Sequence, residues 1–266
     1  MKPLVSIAMG VYNSSETLKD AIDSMINQTY DNWEFIICDD CSTDNTYSIL
    51  KEYARHDQRF KILHNQNNMG LAAGLNRCLS VAKGKYFARM DDDDVSLPDR
   101  LSTEVEYLET HPTCDIVGTN IIVMNNQKNL GIRRNSSKLT AKAFLKGSPF
   151  FHPTIVMKTE VLKKLGGYNT QVYRTEDLEL WFRLYESGYH GENLNCALYK
   201  YHESITDYKK RSLKGGISAF RVFWMGYKKI GIPSYKRWRA IRPIISSVLP
   251  HEIMYKYHMR ALKKVK

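Results

Sequence analysis

The stretch Lys85–Leu101, KYFARMDDDDVSLPDRL, decides how the rest of the chain is read. Tyr86, Phe87 and Ala88 have the make-up of a buried strand end, and Arg89-Met90 carry the chain to its exposed tip. Four consecutive carboxylates follow, Asp91 to Asp94, before Ser96-Leu97-Pro98-Asp99 opens a helix. Adjacent anions repel one another, so nothing in building a fold asks for four of them. A divalent cation would account for them, because Mg²⁺ and Mn²⁺ take oxygen ligands. Arginines set against them, or a solvated acidic turn, would account for them too. A strand that ends in carboxylates at the edge of an α/β sheet stands where ligands bind in such folds, which favours the cation.

Working outward, Leu4–Met9 reads as a buried strand ended by Gly10, with Ser14 or Ser15 placed to cap a helix bearing Leu18, Ile22, Met25 and Ile26. Trp33–Cys38 is a second strand, closed by Asp39 and Asp40. Thr43–Arg55 reads as a helix, Phe60–His64 as a strand, Gly70–Ala82 as a helix and Lys85–Ala88 as a fourth strand. Strands and helices that alternate over short connections predict a mostly parallel, doubly wound α/β sheet. The carboxyl ends of such strands share one crevice, which gathers Tyr12, Asp40, Gly70 and the aspartates. No GxGxxG or GxxxxGK[ST] follows the first strand, which argues against a Rossmann dinucleotide enzyme and a P-loop. Beyond Thr110, strands are expected at 116–117, 121–124 and 155–157, a polar loop over 125–138, and a short helix ended by Gly166-Gly167. A clear helix begins at Thr175-Glu176-Asp177, with Leu178, Trp181, Phe182 and Tyr185 on its apolar side, and stops at Gly188.

At 266 residues the chain can bury a full core, and its 43% hydrophobic and 25% charged residues are ordinary for a soluble protein. No apolar run approaches a spanning helix, and Met1–Gly10 is too short an apolar stretch for a signal peptide. Five cysteines at irregular spacing suit a reducing cytosol; Cys38-Asp-Asp-Cys41 lacks the second pair a zinc site needs. The net charge of +11 is unevenly placed, for residues 208–266 hold sixteen of the 39 Lys and Arg but one of the 28 acids. A mildly acidic unit over 1–207 therefore carries a basic extension over 208–266, which points to a polyanionic surface.

The ordered set VSIAMGVYN, CDDCSTDNT, NNMGLAAGLN, YFARMDDDDVSLPDRL, FHPTIVMK, LGGY, TEDLELWFRLYESG and YKYHESIT resembles glycosyltransferase family 2 over about residues 4–207. The resemblance implies a GT-A fold and an inverting enzyme that moves a sugar from a nucleotide donor, with Mn²⁺ or Mg²⁺. It implies that Gly10 belongs to the donor-nucleotide site, that Tyr12 packs on the base, that Asp40 bonds a uracil ring, and that Gly70 and Asn76 lie near ribose and phosphates. Asp91 and Asp93 match a D-x-D that holds ribose and metal, with the register open by one, so Asp92 shares either job. Asp177 resembles the catalytic base, with Glu176 its alternative; in the first turn of a helix its carboxylate is expected to stay ionised at neutral pH. His202 resembles a further metal or diphosphate contact, with Lys200 where an Arg is common. His152 resembles a residue beside the acceptor pocket, and a satisfied core histidine reads equally well. The QxxRW of polymerising members is absent, which favours one transfer per encounter.

In the extension, Ile241, Ile244, Ile245, Val248 and Leu249 fall at helical spacing up to Pro250. A second helix carries Ile253, Met254, Tyr257, Ala261 and Leu262 against Lys256, Arg260, Lys263 and Lys264. This composition reads as an interfacial segment on anionic lipid. Nucleic acid is the rival partner, and a helical lid or oligomer contact the plainer reading. Because bacterial members of the family often use lipid-linked acceptors, the resemblance favours a polyprenyl-diphosphate-linked glycan, a cytoplasmic place on the inner face of the membrane, and no nucleic acid. Two other functions remain: a sugar nucleotidyltransferase, which would want a glycine-rich, lysine-bearing loop after the first strand, and a non-catalytic binding module, against which the intact acids speak.

Overall fold

The computed structural model describes residues 1–125, 128–209 and 211–262. Its strands are β1 (Val5–Val11), β2 (Trp33–Asp39), β3 (Phe60–His64), β4 (Tyr86–Arg89), β5 (Val95–Ser96), β6 (Ile116–Asn125), β7 (Lys128–Arg133), β8 (Val156–Lys158) and β9 (Gly191–His202). The helices are α1 (Leu18–Ile26), α2 (Thr46–His56), α3 (Leu71–Val81), α4 (Arg100–Thr110), α5 (Ala141–Phe144), α6 (Thr159–Lys164), α7 (Glu176–Glu186), α8 (Ile205–Lys209), α9 (Leu213–Lys229), α10 (Ser234–Arg237), α11 (Arg242–Val248) and α12 (His251–Arg260).

The strands form one sheet in the order β3-β2-β1-β4-β8-β6-β9-β5, with β7 paired to β6. The first four are parallel, as the alternation of elements predicts. The second half makes the sheet mixed, with β8 antiparallel to β4 and β6, and β9 parallel to β6. Strand β1 shows why helices cover both faces. Val5, Ile7 and Met9 enter a core with Leu18 and Ile22 of α1, Leu50 of α2 and Leu101 of α4. Ala8 enters the opposite core, with Leu75 of α3, Leu162 of α6 and Trp181 of α7. Two-sided burial of this kind gives parallel strands their continuous apolar runs.

Several boundaries move for physical reasons. β1 and β2 continue past their apolar runs because Val11 still pairs with Asp39 in the ladder. Neither Ser14 nor Ser15 caps α1, whose N-cap is Thr17. The Ser14 hydroxyl instead bonds Asp92, and its backbone N–H donates to Thr46 Oγ1 at 2.8 Å. The expected loop over 125–138 contains β7, where Ile132 and Arg133 pair with Ile122 and Ile121; Asn126 and Gln127 lie outside the described residues. The long strand β9 has no counterpart in the apolar pattern.

Past residue 207 the chain returns to the core. Tyr227 of α9 is buried and its hydroxyl donates to the Phe144 carbonyl at 2.9 Å, while Gly226 lets α9 lie directly on the Phe182 ring. Ala240 is fully buried as well. Lys263 and Lys264, expected on the basic side of the last helix, lie outside the described residues.

Candidate active site

The carboxyl ends of β1, β2 and β4, together with the start of α3, enclose a cavity of about 210 Å³. Its lining includes Gly10, Tyr12, Asp40, Gly70, Asp91 and Asp92. Six residues singled out in the sequence as donor-binding thus share one pocket. Its floor depends on two glycines. A Cβ on Gly10 would come within 2.8 Å of Leu71 Cδ1, and Gly70 sits at φ +84°, a conformation that L side chains rarely adopt.

Asp40 shapes this pocket before any ligand arrives. Its Oδ1 accepts from Asn65 Nδ2 at 2.6 Å and Met69 N at 2.8 Å, and its Oδ2 accepts from Gly70 N at 2.7 Å. The side chain is buried, so these bonds are strong and costly to lose. Beside it the buried Asp39 meets the His64 ring at 2.7 Å. Asn13 and Cys41, in the neighbouring loops, have positive φ values of 53° and 65°; a third such non-glycine residue among those described, Arg174 at 56°, precedes the Thr175-Glu176-Asp177 turn. Backbone strain of this kind gathers at functional sites.

Around the acidic run, a buried arginine turns out to be the counter-ion. Arg89, 1% exposed in its side chain, pairs with Asp91. Burial works against its charge, but Asp91 together with Tyr199 and Tyr168 outweighs that, so its pKa is raised. Asp91 N donates to the Tyr199 hydroxyl at 3.1 Å. Asp92 is raised, first by burial, with the Ser14 hydroxyl bond opposing. Asp93 reaches the surface, yet lost hydration in the cleft and then repulsion from Asp91, Asp92 and Asp207 lift its carboxyl to about 7. Asp94 is buried and held well above the carboxylate range by burial and by Asp91 and Asp93. One of its oxygens accepts from His202 N at 2.7 Å, while Oδ2 has no hydrogen-bond partner. That bond ties the end of β9 to the acids and places His202 beside them.

An orphaned carboxylate oxygen on Asp94, beside Asp92 and Asp93 whose pKa values are raised, fits a hard divalent cation. Among the described residues no three His, Cys, Asp or Glu side chains already stand gathered to hold one.

Across the cleft, Asp177 and Glu176 open α7 behind Thr175. Here the structure corrects an expectation. Burial, then the neighbouring Glu176, raises the Asp177 carboxyl to about 7, against the opposing pull of its own helix N–H groups and of Arg89. The helix terminus alone would have kept it low, and burial wins. Glu176 is raised too, first by burial, while Arg89 pulls it down. His152 bonds the Tyr168 hydroxyl at 2.9 Å through Nε2 and lies edge-on to Trp181. Burial, then Arg89, holds it well below its ordinary value, so it is neutral at pH 7. Arg89 therefore acts electrostatically on the acidic run and on the α7 carboxylates alike.

Asn76 stands apart from the pocket. Its Nδ2 donates to the Tyr168 carbonyl and its Oδ1 accepts from Tyr168 N, each at 2.8 Å, so it clamps the Gly167-Tyr168 turn to α3. Arg100, also unforeseen, is fully buried and donates to the carbonyls of Pro153 at 2.8 Å and Arg89 at 3.1 Å, which fixes the His152 loop to the end of β4. Its place in Leu-Pro-Asp-Arg100-Leu, just after the acids, was the one signal available.

The model of glycosyl transferase family 2 matches residues 6–166. The chain belongs to that family. It is a glycosyltransferase, and the GT-A fold expected from its sequence holds. Over 267 aligned residues, 99% of this chain and 96% of the other, it is 39% identical to the provisionally named glycosyltransferase EpsE of Bacillus subtilis. It is 30% identical, over 79% of this chain and 83% of the other, to WfgD of Escherichia coli, named a UDP-Glc:alpha-D-GlcNAc-diphosphoundecaprenol beta-1,3-glucosyltransferase. Among solved structures, S. aureus TarS (residues 1–349) in complex with UDP has the same fold at a TM-score of 0.68, with 19% identity over 90% of this chain and 69% of that one. The mannosyltransferase PcManGT of Pyrobaculum calidifontis, solved with GDP-Man and Mn²⁺, scores 0.68 at 18% identity over 98% of this chain and 80% of that one.

Proposed function

We propose that this glycosyltransferase moves one sugar from a nucleotide donor, with inversion, to a hydroxyl of a glycan carried on a polyprenyl diphosphate, in the assembly of a cell-surface polysaccharide. One observation carries the reading: Asp177, raised to about 7, and the acids Asp91, Asp92 and Asp93 all feel the charge of the same buried Arg89, which pairs with Asp91. A base with that pKa is half ionised at neutral pH and takes up a proton readily, which suits removal of the acceptor's hydroxyl proton.

Each residue has a stated task. The nucleotide occupies the pocket floored by Gly10 and Gly70, its base against Tyr12, which is half exposed and available to stack. Asp40 Oδ2, which accepts a single bond, has a lone pair left to meet a uracil N–H. Asp91, Asp93 and His202, with the free oxygen of Asp94, would hold Mn²⁺ or Mg²⁺, whose contribution is to neutralise the departing nucleoside diphosphate. Asp177 takes the acceptor proton, Glu176 holds a second negative charge beside it, and neutral His152 stiffens the acceptor wall through Tyr168. The donor pocket and the relatives with UDP in their names support a UDP-sugar, with a GDP-sugar as the alternative.

No helix among the described residues is long and apolar enough to cross a membrane. The last helices expose Trp238, Ile241, Ile245, Val248 and Leu249 between basic residues, which supports peripheral attachment to an anionic membrane on its cytoplasmic side. The test is a donor screen with Mn²⁺ that follows nucleoside diphosphate release, with and without purified lipid-linked glycans. Release that rises only with such an acceptor is expected; release with soluble oligosaccharides alone would overturn the acceptor class.

A further inference from the structure

A second cavity shares no lining residue with the pocket of Gly10 and Gly70. It measures about 220 Å³ and lies between the Arg174-Thr175 turn, the start of α9 and one side of α11. Thr175, immediately before the Glu176-Asp177 pair, forms part of its wall, so whatever sits there is next to the proposed base. Two arginines, Arg174 and Arg211, and one carboxylate, Asp207, line it, so the charges on its wall sum to positive. Asp207 is engaged by Ser204, whose backbone N–H and hydroxyl both reach it at 2.9 Å. Arg211 is exposed but not adrift: its guanidinium lies over the Tyr208 ring at 4.3 Å, and the Tyr208 hydroxyl bonds the buried Glu203.

The opposite wall is α11, and its two sides differ. Pro243, Ser246 and Ser247 line the cavity, while Ile245 and Val248 stand 48% and 65% exposed to solvent. A ligand with an anionic head and an apolar tail fits that seam, head among the arginines and tail along the outer side of α11.

We propose that this cavity seats the diphosphate of the lipid-linked acceptor. The inference rests on the acceptor class proposed above and adds where its charge is bound. The acceptor diphosphate then lies beside Thr175, its glycan reaches inward to Asp177, and its lipid runs outward across α11. Donor and acceptor pyrophosphates are held apart, the first by the acidic run through its cation, the second by arginines.

The experiment is direct binding of farnesyl diphosphate, with farnesol as the uncharged control, to the full chain saturated with Mn²⁺ and UDP or GDP, whichever binds. Farnesyl diphosphate should bind at least about tenfold more tightly than farnesol. R211A, and S246D as an independent variant that places a negative charge in the cavity, should each weaken it by roughly ten- to hundredfold, the usual worth of a hydrogen bond to a charged group. R211K, which keeps the charge and loses the fork, should recover part of the loss. Three results would overturn the proposal: farnesyl diphosphate no tighter than farnesol, binding unmoved by R211A and S246D, or displacement of the nucleotide, which would make this a donor site. Farnesyl diphosphate binding without any sugar transfer in the donor screen would sink the transfer reading alone. Transfer to lipid-linked glycans without such binding would sink this one alone.

Discussion

Asp40 spends three hydrogen bonds on shaping one loop of the donor wall, whereas Arg174 and Arg211 on the acceptor wall stand at an open, exposed cavity. The proposed donor wall is the carboxyl edge of the parallel strands, closed by Asp40, by Gly10 under Leu71, by Gly70 at its positive φ, and by the pair of buried Arg89 with half-buried Asp91. The proposed acceptor wall is assembled from the Arg174-Thr175 turn and the late helices α8, α9 and α11. The contrast matches the two tasks. A nucleotide diphosphate is a rigid, shared ligand that rewards a preformed pocket, while a glycan on a lipid is long and mobile and must enter from a membrane. The buried Arg89 links the two walls, since it acts on Asp91 and on Asp177 and Glu176.

Substitutions can break that division of labour. The largest effect is expected for Asp93→Ala on the donor wall: transfer should fall about a thousandfold or more, with Mn²⁺-dependent nucleotide binding lost in parallel by calorimetry. Asp93→Ala with full Mn²⁺-dependent activity would remove the acids from the donor site. Next, Arg89→Met strands a partly buried carboxylate and should cost about 3 kcal/mol of stability, read as a lowered denaturation midpoint. Adding Asp91→Asn to it should restore much of the stability and none of the activity. Activity in the double variant would remove both Arg89 and Asp91 from the site.

A smaller effect follows from pH. A base must be unprotonated to act, so with Asp177 at about 7 the value of kcat/KM under saturating Mn²⁺ should fall as pH drops through 7, approaching tenfold per unit below it. A profile flat from pH 5.5 to 8 would mean that the base is another group. The mildest change is Ile245→Asp with Val248→Asp on the exposed side of α11. It should release the protein from anionic vesicles in a flotation assay, with little change in thermal stability, because both residues are exposed. Truncation of the whole extension is a poor substitute, since Ala240 and Tyr227 belong to the core.

How much was legible follows the same division. The donor wall lies in local patterns: Phe60–His64 is a strand in sequence and structure alike, and the polar turn after each parallel strand pointed to one crevice. What escaped depends on distant partners. β9 reads as polar because most of its side chains are only half buried, and β7 is hidden because it lies at an exposed edge of the sheet. Asn76 looks like a ligand residue until Tyr168, far along the chain, is found to use both ends of its amide. Arg89 carried no signal, since one arginine before an acidic run says nothing of its own burial. The Asp177 carboxyl was misjudged for the same reason: the helix start is visible in sequence and the burial is not.

The central claim is that the two walls do separate jobs, grip and deprotonation. Asp177→Asn tests it most directly, with nucleotide affinity and single-turnover transfer measured on the same preparation. Affinity within about twofold of the parent, with transfer reduced on the order of 10²- to 10⁴-fold, is the predicted result. Transfer at the parent rate, or nucleotide affinity lost together with transfer, would contradict it.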